Sequence, residues 1–311
     1  MRVTSNNFSD NLVSHFHTLA RRQLDLQNQI ATGQRISAAS DDPFAAQQVL
    51  QLRDDSAANA QFQKNIGTHQ EFAKVTHGLM RNLQKVLDRA EEIAFSIDDI
   101  DSDEDLKTYA AEVNQLLEHA VQIANAQHRG EFILSGTKTD TAPFTSVKGA
   151  TNQITSVTFA GNSNVAESEI APGTSVASRV PGENRSGSGE RGLFADSGAS
   201  ADIFAHLIAL RDQLASGDVA TIHSTTRDQL LADEENVIFH MAKNGALQSR
   251  LETSLSSAKD ESLALEHEIS DRADVDMAAA IVRLNQQQTN YQAALQSASS
   301  TMNLSLLSFL R

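Results

Sequence analysis

Cysteine is absent from all 311 residues, which excludes disulfides, thiolate metal sites, iron–sulfur clusters and cysteine nucleophiles together. Tryptophan is absent as well, and the aromatic set is 13 Phe and 2 Tyr. Alanine, leucine, glutamine and serine dominate instead, a composition that favours long helices over a compact pocket. Positive charge is scarce: 25 Lys and Arg against 40 Asp and Glu leave a formal charge of −15. Such a chain repels phosphate backbones and anionic lipid headgroups, so neither nucleic acid nor a membrane surface is an expected partner. No run approaches the eighteen or so apolar residues of a membrane-spanning helix. The start, Met1-Arg2-Val3-Thr4-Ser5-Asn6-Asn7, has neither the apolar centre nor the cleavage site of a secretory leader, so any export is expected by another route.

What the chain does contain is periodicity. Leu12, Phe16, Leu19, Gln23, Leu26 and Ile30 alternate steps of four and three, the heptad spacing of a coiled-coil seam. Gly33 stops that helix. Asp42 is placed to cap the next one, with Pro43 at its first position. The other end repeats the pattern with Met277, Ile281, Leu284, Gln288, Tyr291, Leu295, Ala298 and Met302, and Phe309 extends it. Each seam holds one glutamine, Gln23 or Gln288, a polar group that fixes register at some cost in stability. Leu304, Leu306, Leu307, Phe309 and Leu310 cannot share one stripe, so the last turns are apolar on several sides and require more than one neighbour. The entropy of ordering such an end exceeds what one seam returns, so both termini are expected to be loose in a lone chain and to order when chains assemble.

Between the seams, Phe72, Val75, Leu79, Leu83, Val86, Ala90, Ile93 and Ile97 predict one long helix, and a second is expected over 106–128. From 136 to 200 the texture changes. Most of the 15 glycines and three of the four prolines fall there, with alternating runs such as Ile154-Thr155-Ser156-Val157-Thr158-Phe159, the pattern of a small β-rich insert. Helical spacing resumes at Ile203, Leu207, Leu210 and Leu214, and a long polar helix is expected over 221–270. The fold class is therefore mainly α: a long helical bundle or coiled coil formed by both chain ends, with a small β-rich insert. The expected divisions are a terminal coiled-coil domain (1–40 with 271–311), a helical bundle (41–135 with 198–270) and the insert (136–197).

The segments that come nearest to chemistry-bearing motifs each lack an essential residue or spacing. Asp99-Ile100-Asp101-Ser102-Asp103 opens like a calcium loop, but Glu104 stands where glycine is needed and Ala110 where the bidentate glutamate belongs. Gly182-Glu183-Asn184-Arg185-Ser186-Gly187-Ser188 lacks the lysine of a phosphate loop. His15 and His17 point to different faces of one helix, and Glu266-His267-Glu268 lacks zinc-protease spacing. No catalytic, cofactor-binding or metal-binding residues are predicted, and the chain is expected to be no enzyme. The residues expected to matter are the seam: Leu12, Phe16, Leu19, Leu26, Ile30, Met277, Ile281, Leu284, Tyr291, Leu295, Met302 and Phe309.

Several blocks resemble the flagellin superfamily. Ala31-Thr32-Gly33-Gln34-Arg35-Ile36 running into Ser40-Asp41-Asp42-Pro43-Phe44-Ala45-Ala46 is similar to its N-terminal region, and Gln61-Phe62-Gln63-Lys64-Asn65-Ile66 to its next recurrent block. Asp274-Val275-Asp276-Met277-Ala278, Leu284-Asn285-Gln286-Gln287-Gln288, Tyr291-Gln292-Ala293-Ala294-Leu295 and Leu304-Ser305-Leu306-Leu307 resemble its C-terminal signature. Asp41-Asp42-Pro43 and the stretch from Gly130 through Gly136-Thr137-Lys138-Thr139-Asp140-Thr141-Ala142-Pro143-Phe144 are similar to the hook-associated branch. Glu131-Phe132-Ile133 departs from the family, which commonly has a basic or polar residue and then tyrosine.

The resemblance implies a structural subunit of the bacterial flagellum at the hook–filament junction. It also implies a larger hook-associated protein on the hook side, flagellin on the filament side, self-association in a tubular layer, and an export chaperone holding the C-terminal helix. Localisation outside the cell, by the flagellar type III route, is implied likewise. The alternatives are flagellin itself and, from another class, an intracellular acidic coiled-coil scaffold. That scaffold would leave the 130–144 block and the all-round apolar tail unexplained.

Overall fold

The structure, a computed structural model, describes residues 3–98 and 102–309, with side chains described over 11–98 and 102–300. Among the described residues are seven α-helices: α1 (Val3–Thr32), α2 (Pro43–Ser96), α3 (Asp103–Ala124), α4 (Ile203–Ser216), the single turn α5 (Val219–Thr221), α6 (Arg227–Ala273) and α7 (Met277–Phe309). Nine short strands lie between α3 and α4: β1 (Gln127–His128), β2 (Glu131–Phe132), β3 (Phe144–Lys148), β4 (Ile154–Phe159), β5 (Ser168–Ala171), β6 (Thr174–Val176), β7 (Glu183–Asn184), β8 (Ala195–Asp196) and β9 (Ala201–Asp202). The architecture is thus mainly helical with a β-rich middle, as the periodicities predict. The predicted calcium-like stretch Asp99-Ile100-Asp101 and the side chains of the apolar tail from Met302 to Leu310 lie outside the described residues.

Helix ends follow local chemistry. Gly33 closes α1 at φ 73°, and the Asp42 carboxylate accepts the Ala45 N–H at 3.1 Å to cap α2. Ser102 caps α3 at Asp105, and three acids in its first turn suit the positive end of the helix dipole. Asp202 caps α4, which stops at Gly217 in the left-handed region. Two boundaries differ from the sequence reading. The helix expected to reach 128 stops at Ala124, because the Asn125 side chain turns to pair with the Phe144 backbone, accepting its N–H at 3.0 Å and donating to its carbonyl at 2.8 Å. Residues 127–128 are released into β1. The helix expected from 221 begins with a five-residue π turn, Ile222–Thr226, before α6. The wider turn lets Thr226 donate to Gln213 at 2.6 Å and sets His223 Nε2 2.9 Å from the Ile97 carbonyl.

The packing resolves into two compact units, residues 1–59 with 260–311 and residues 60–259. In the second, α3 buries Leu106, Ala110, Val113, Leu117 and Ala120 along one heptad-spaced face. These meet Leu207, Leu210 and Leu214 of α4 and Leu83, Leu87 and Ile93 of α2 in one core. The insert is rooted in that core by phenylalanines. Phe194 stacks on Phe204 at 4.9 Å, and Phe144 lies 5.3 Å from each. Strands β3 and β4 form an antiparallel hairpin in which Phe144 faces Phe159, β5 pairs antiparallel with β6, and β8 joins parallel β7 to antiparallel β9. A second small core seats Ile170 and Val176 of β5 and β6 on Ile66 and Leu251. Gly136, at φ 70°, sits where any Cβ would collide with Asn162. Asn162 accepts the Thr137 N–H at 3.0 Å and donates to the Thr137 hydroxyl at 2.8 Å, so the 136–144 block anchors the insert's entry.

Candidate assembly surface

The two chain ends pair with each other. Leu12, Phe16, Leu19, Leu26 and Ile30 of α1 are all half-buried, as is Gln23. Phe16 meets Tyr291 edge-on at 5.8 Å, and Gln287 donates to the Leu19 carbonyl at 3.4 Å. Rising numbers on α1 therefore meet falling numbers on α7, an antiparallel arrangement.

On α7 the structure divides the predicted seam. Leu284 and Tyr291 are half-buried, whereas Met277, Ile281 and Leu295 remain 43%, 46% and 46% exposed. The stripe toward α1 is Ala280, Leu284, Gln287, Tyr291, Ala294 and Ala298, again in steps of four and three but displaced from the predicted one. Alanines there let the helices approach closely, and small residues give a weak hydrophobic signal in a sequence. The side chains of Met302 and Phe309 lie outside the described residues.

Below the seam the chain is clamped. Gln34 and Asp274 form an antiparallel bridge, with the Arg35 N–H donating to Ala273 O at 2.6 Å and the Val275 N–H to Gly33 O at 2.9 Å. The Arg35 guanidinium donates to the Arg272 carbonyl at 2.7 Å and to Asp42 at 3.3 Å. Asp41 accepts the backbone N–H groups of Ala38 and Ser37 and the Ser37 hydroxyl at 2.9–3.1 Å. Those bonds hold its carboxyl below the usual range, the Ala38 N–H foremost, and the Ala45 N–H and Arg35 do the same for Asp42. Arg35, Asp41 and Asp274 belong to the family-like blocks, yet spacing alone assigns them no role. Only the fold brings residues so far apart in the chain to one point.

Elsewhere the described residues hold polar clusters of other kinds. His69 sets its ring nitrogens against the hydroxyls of Ser178, at 2.6 Å, and Ser168. Both nitrogens are taken by serines and neither meets a carboxylate, so the contact ties the β5–β6 region to α2. Burial lowers the His69 pKa. His206 Nδ1 lies 2.8 Å from the buried Asp233. Burial opposes the histidine's proton, but hydrogen bond and charge from Asp233 prevail and raise its pKa. Burial pushes Asp233 up to about 6, and burial with nearby Glu234, Asp88 and Asp233 pushes Glu91 up to about 7. A cavity of about 340 Å³ is lined by Arg179, His240, Lys243 and Arg250 among others. Burial drives His240 down to about 4. Among the described residues no cluster of three or more His, Asp or Glu could hold a metal ion, and no helix is long and apolar enough to cross a membrane.

Comparison with known proteins agrees with this geometry. The bacterial flagellin N-terminal helical region matches residues 3–139, and the bacterial flagellin C-terminal helical region matches residues 235–310. Flagellar hook-associated protein 3 of Escherichia coli strain K12 is 26% identical over 293 residues, spanning 89% of this chain and 90% of that one. The protein of that name from Salmonella typhimurium strain LT2 is 24% identical over 322 residues, spanning 98% of each. In fold, the chain resembles a provisionally assigned flagellar hook-associated protein from Vibrio parahaemolyticus, with a TM-score of 0.63 and 21% identity over 75% of this chain and all of that one. With both helical regions matched and its two ends paired, the chain belongs to the bacterial flagellin family.

Proposed function

We propose that this chain is a structural, non-catalytic subunit of the bacterial flagellum at the hook–filament junction, adapting hook to filament and seeding flagellin addition. The observation that carries the reading is the terminal pair: an antiparallel coiled coil whose α7 still presents Met277, Ile281 and Leu295 to solvent. A protein that worked alone would cover such a stripe. Residues 1–40 with 271–311 are the terminal coiled-coil assembly domain, 41–135 with 198–270 the helical bundle domain, and 136–197 the β-rich outer insert. The seam side chains, Met302 and Phe309 included, are the assembly residues. The partners are a hook-associated protein on the hook side, flagellin on the filament side, further copies of the chain, and a chaperone during export to the cell exterior.

The Asp41-Asp42-Pro43 cap and the 136–144 anchor favour this placement over the filament itself, because both fall in the blocks that resemble the hook-associated branch. Electron microscopy of isolated hooks incubated with the purified chain, with and without flagellin, tests it. A limited layer at the hook end that then accepts flagellin is expected. Long tubes grown from this chain alone would make it a filament subunit.

A further inference from the structure

The middle unit contains a site that the assembly does not use. Its cavity of about 340 Å³ lies between α6 and residues 177–180, the stretch that follows β6. His240, Asn244 and Leu247 line it from α6 in steps of four and three, one face of that helix, with Lys243 and Arg250 at its exposed rim. Arg179 and Val180 form another wall. Small-molecule sites span roughly 300–1,000 Å³, so this one suits a single ring compound. The lining carries three bases, Arg179, Lys243 and Arg250, against two acids, Glu167 and Glu190, a local balance of 3 − 2 = +1 in a chain of −15. Anions that the rest of the surface repels are tolerated here.

Two of these residues hold buried nitrogens that have no partner among the described residues, Arg179 Nη1 and His240 Nδ1. They require opposite things. The Arg179 guanidinium is fixed over the Phe72 ring, 4.6 Å from its centroid, and its Nη2 donates to Glu131, so Nη1 is a positioned donor. His240 Nε2 lies 3.2 Å from the Gly192 carbonyl, which only accepts, so Nε2 carries the ring proton. Burial keeps the ring neutral, and Nδ1 is then an acceptor. Acetate would satisfy the arginine alone, and a neutral sugar would leave the positive charge unmatched. We propose that this cavity binds a small hydroxy-carboxylate of sugar-acid type: Arg179 and Arg250 take the carboxylate, His240 Nδ1 accepts a hydroxyl, and Val180 and Leu247 cover the carbon frame. Both nitrogens are covered by neighbouring atoms, so binding turns these side chains slightly toward the ligand. The site lies wholly within residues 60–259 and does not depend on the assembly proposed above.

Titration calorimetry of the purified full chain tests this, with D-galacturonate and D-glucuronate as probes and D-galactose, acetate and inorganic phosphate as controls. At least one uronate should bind saturably, about tenfold more tightly than any control, since charge and hydroxyl then act together. Arg179→Gln should weaken that uronate by about tenfold. Because Arg179 also braces Phe72, Arg250→Gln at the exposed rim is the second variant. It should leave the thermal midpoint unchanged and weaken the uronate about threefold. Absence of saturable binding by either uronate at about 10 mM overturns the proposal, the two nitrogens being then served by solvent. Tighter binding of phosphate overturns it as well, as does equal binding of galactose. So does a uronate affinity that neither arginine variant changes.

Discussion

The paired ends and the middle of this chain are built by opposite rules. The middle unit hides Phe194, Leu83, Leu87, Leu117 and Leu207 completely, in a core closed by helices on several sides. Among the described residues the paired ends pack on each other, leave their large seam residues half-buried or exposed, and hold few charges. A closed core stabilises a chain standing alone, whereas an open, weakly charged seam acquires its stability when copies complete it. On the assembly proposed above, folding and assembly fall to different residues, and perturbing each should leave the other largely intact.

The sharpest break is at the ends. Replacing Leu284 and Leu295 together by Asp should abolish incorporation at hook ends, scored by electron microscopy, while barely moving the thermal midpoint of the monomer. A large fall in that midpoint would mean that the seam is part of an ordinary bundle. Deleting residues 277–311 should likewise leave a folded monomer that no longer adds to hooks. In the middle unit, Phe194→Ala removes a ring packed between Phe144 and Phe204 and should cost about 3–5 kcal/mol in urea unfolding.

A smaller effect depends on pH. Glu91 ionises near 7 in the fold against an ordinary 4.5, so the folded state holds its proton more tightly than the unfolded state. Its share of stability is present at about pH 4.5 and is lost as pH rises through about 7. Glu91→Gln should therefore stabilise the protein at pH 8 by ~1 kcal/mol, allowing for solvent screening, and by little at pH 5. His206 and Asp233, both raised, act in the same direction. His240, lowered to about 4, acts oppositely, its share lost as pH falls below about 6.5. Comparing variant with parent at each pH isolates Glu91.

The smallest change is at Gly67, Gly78 and Gly245, which stand inside α2 and α6 where an added Cβ meets nothing within 4 Å. Each Gly→Ala replacement should add about 0.5–1 kcal/mol by lowering unfolded-state entropy. Incorporation at hook ends should not change. If it did, the two regions would be coupled after all.

The helices and the β-rich insert were legible because burial imposes their periods on the residues: Val113, Leu117 and Ala120 can be read from spacing alone, as can the Asp42–Pro43 start. The seam on α7 was half legible. Met277, Ile281 and Leu295 outweigh Ala280, Ala294 and Ala298 in any hydrophobic pattern, yet the alanines face α1 because only a small side chain permits that approach. Contacts between distant stretches left no local trace. The Phe144–Phe194–Phe204 cluster and the buried Arg211, whose guanidinium reaches Asn114 at 3.3 Å and the Ile154 carbonyl, draw on residues scattered along the chain.

The bridge at Gln34 and Asp274 has a mechanical consequence. A helix held by one backbone connection can swivel about its φ and ψ bonds, so twist applied to it is not passed on. Here both helices leave through a one-residue bridge laced by main-chain hydrogen bonds and the Arg35 guanidinium, and a laced pair cannot spin about a single axis. In a rotating appendage, such a root would transmit torque instead of unwinding under it.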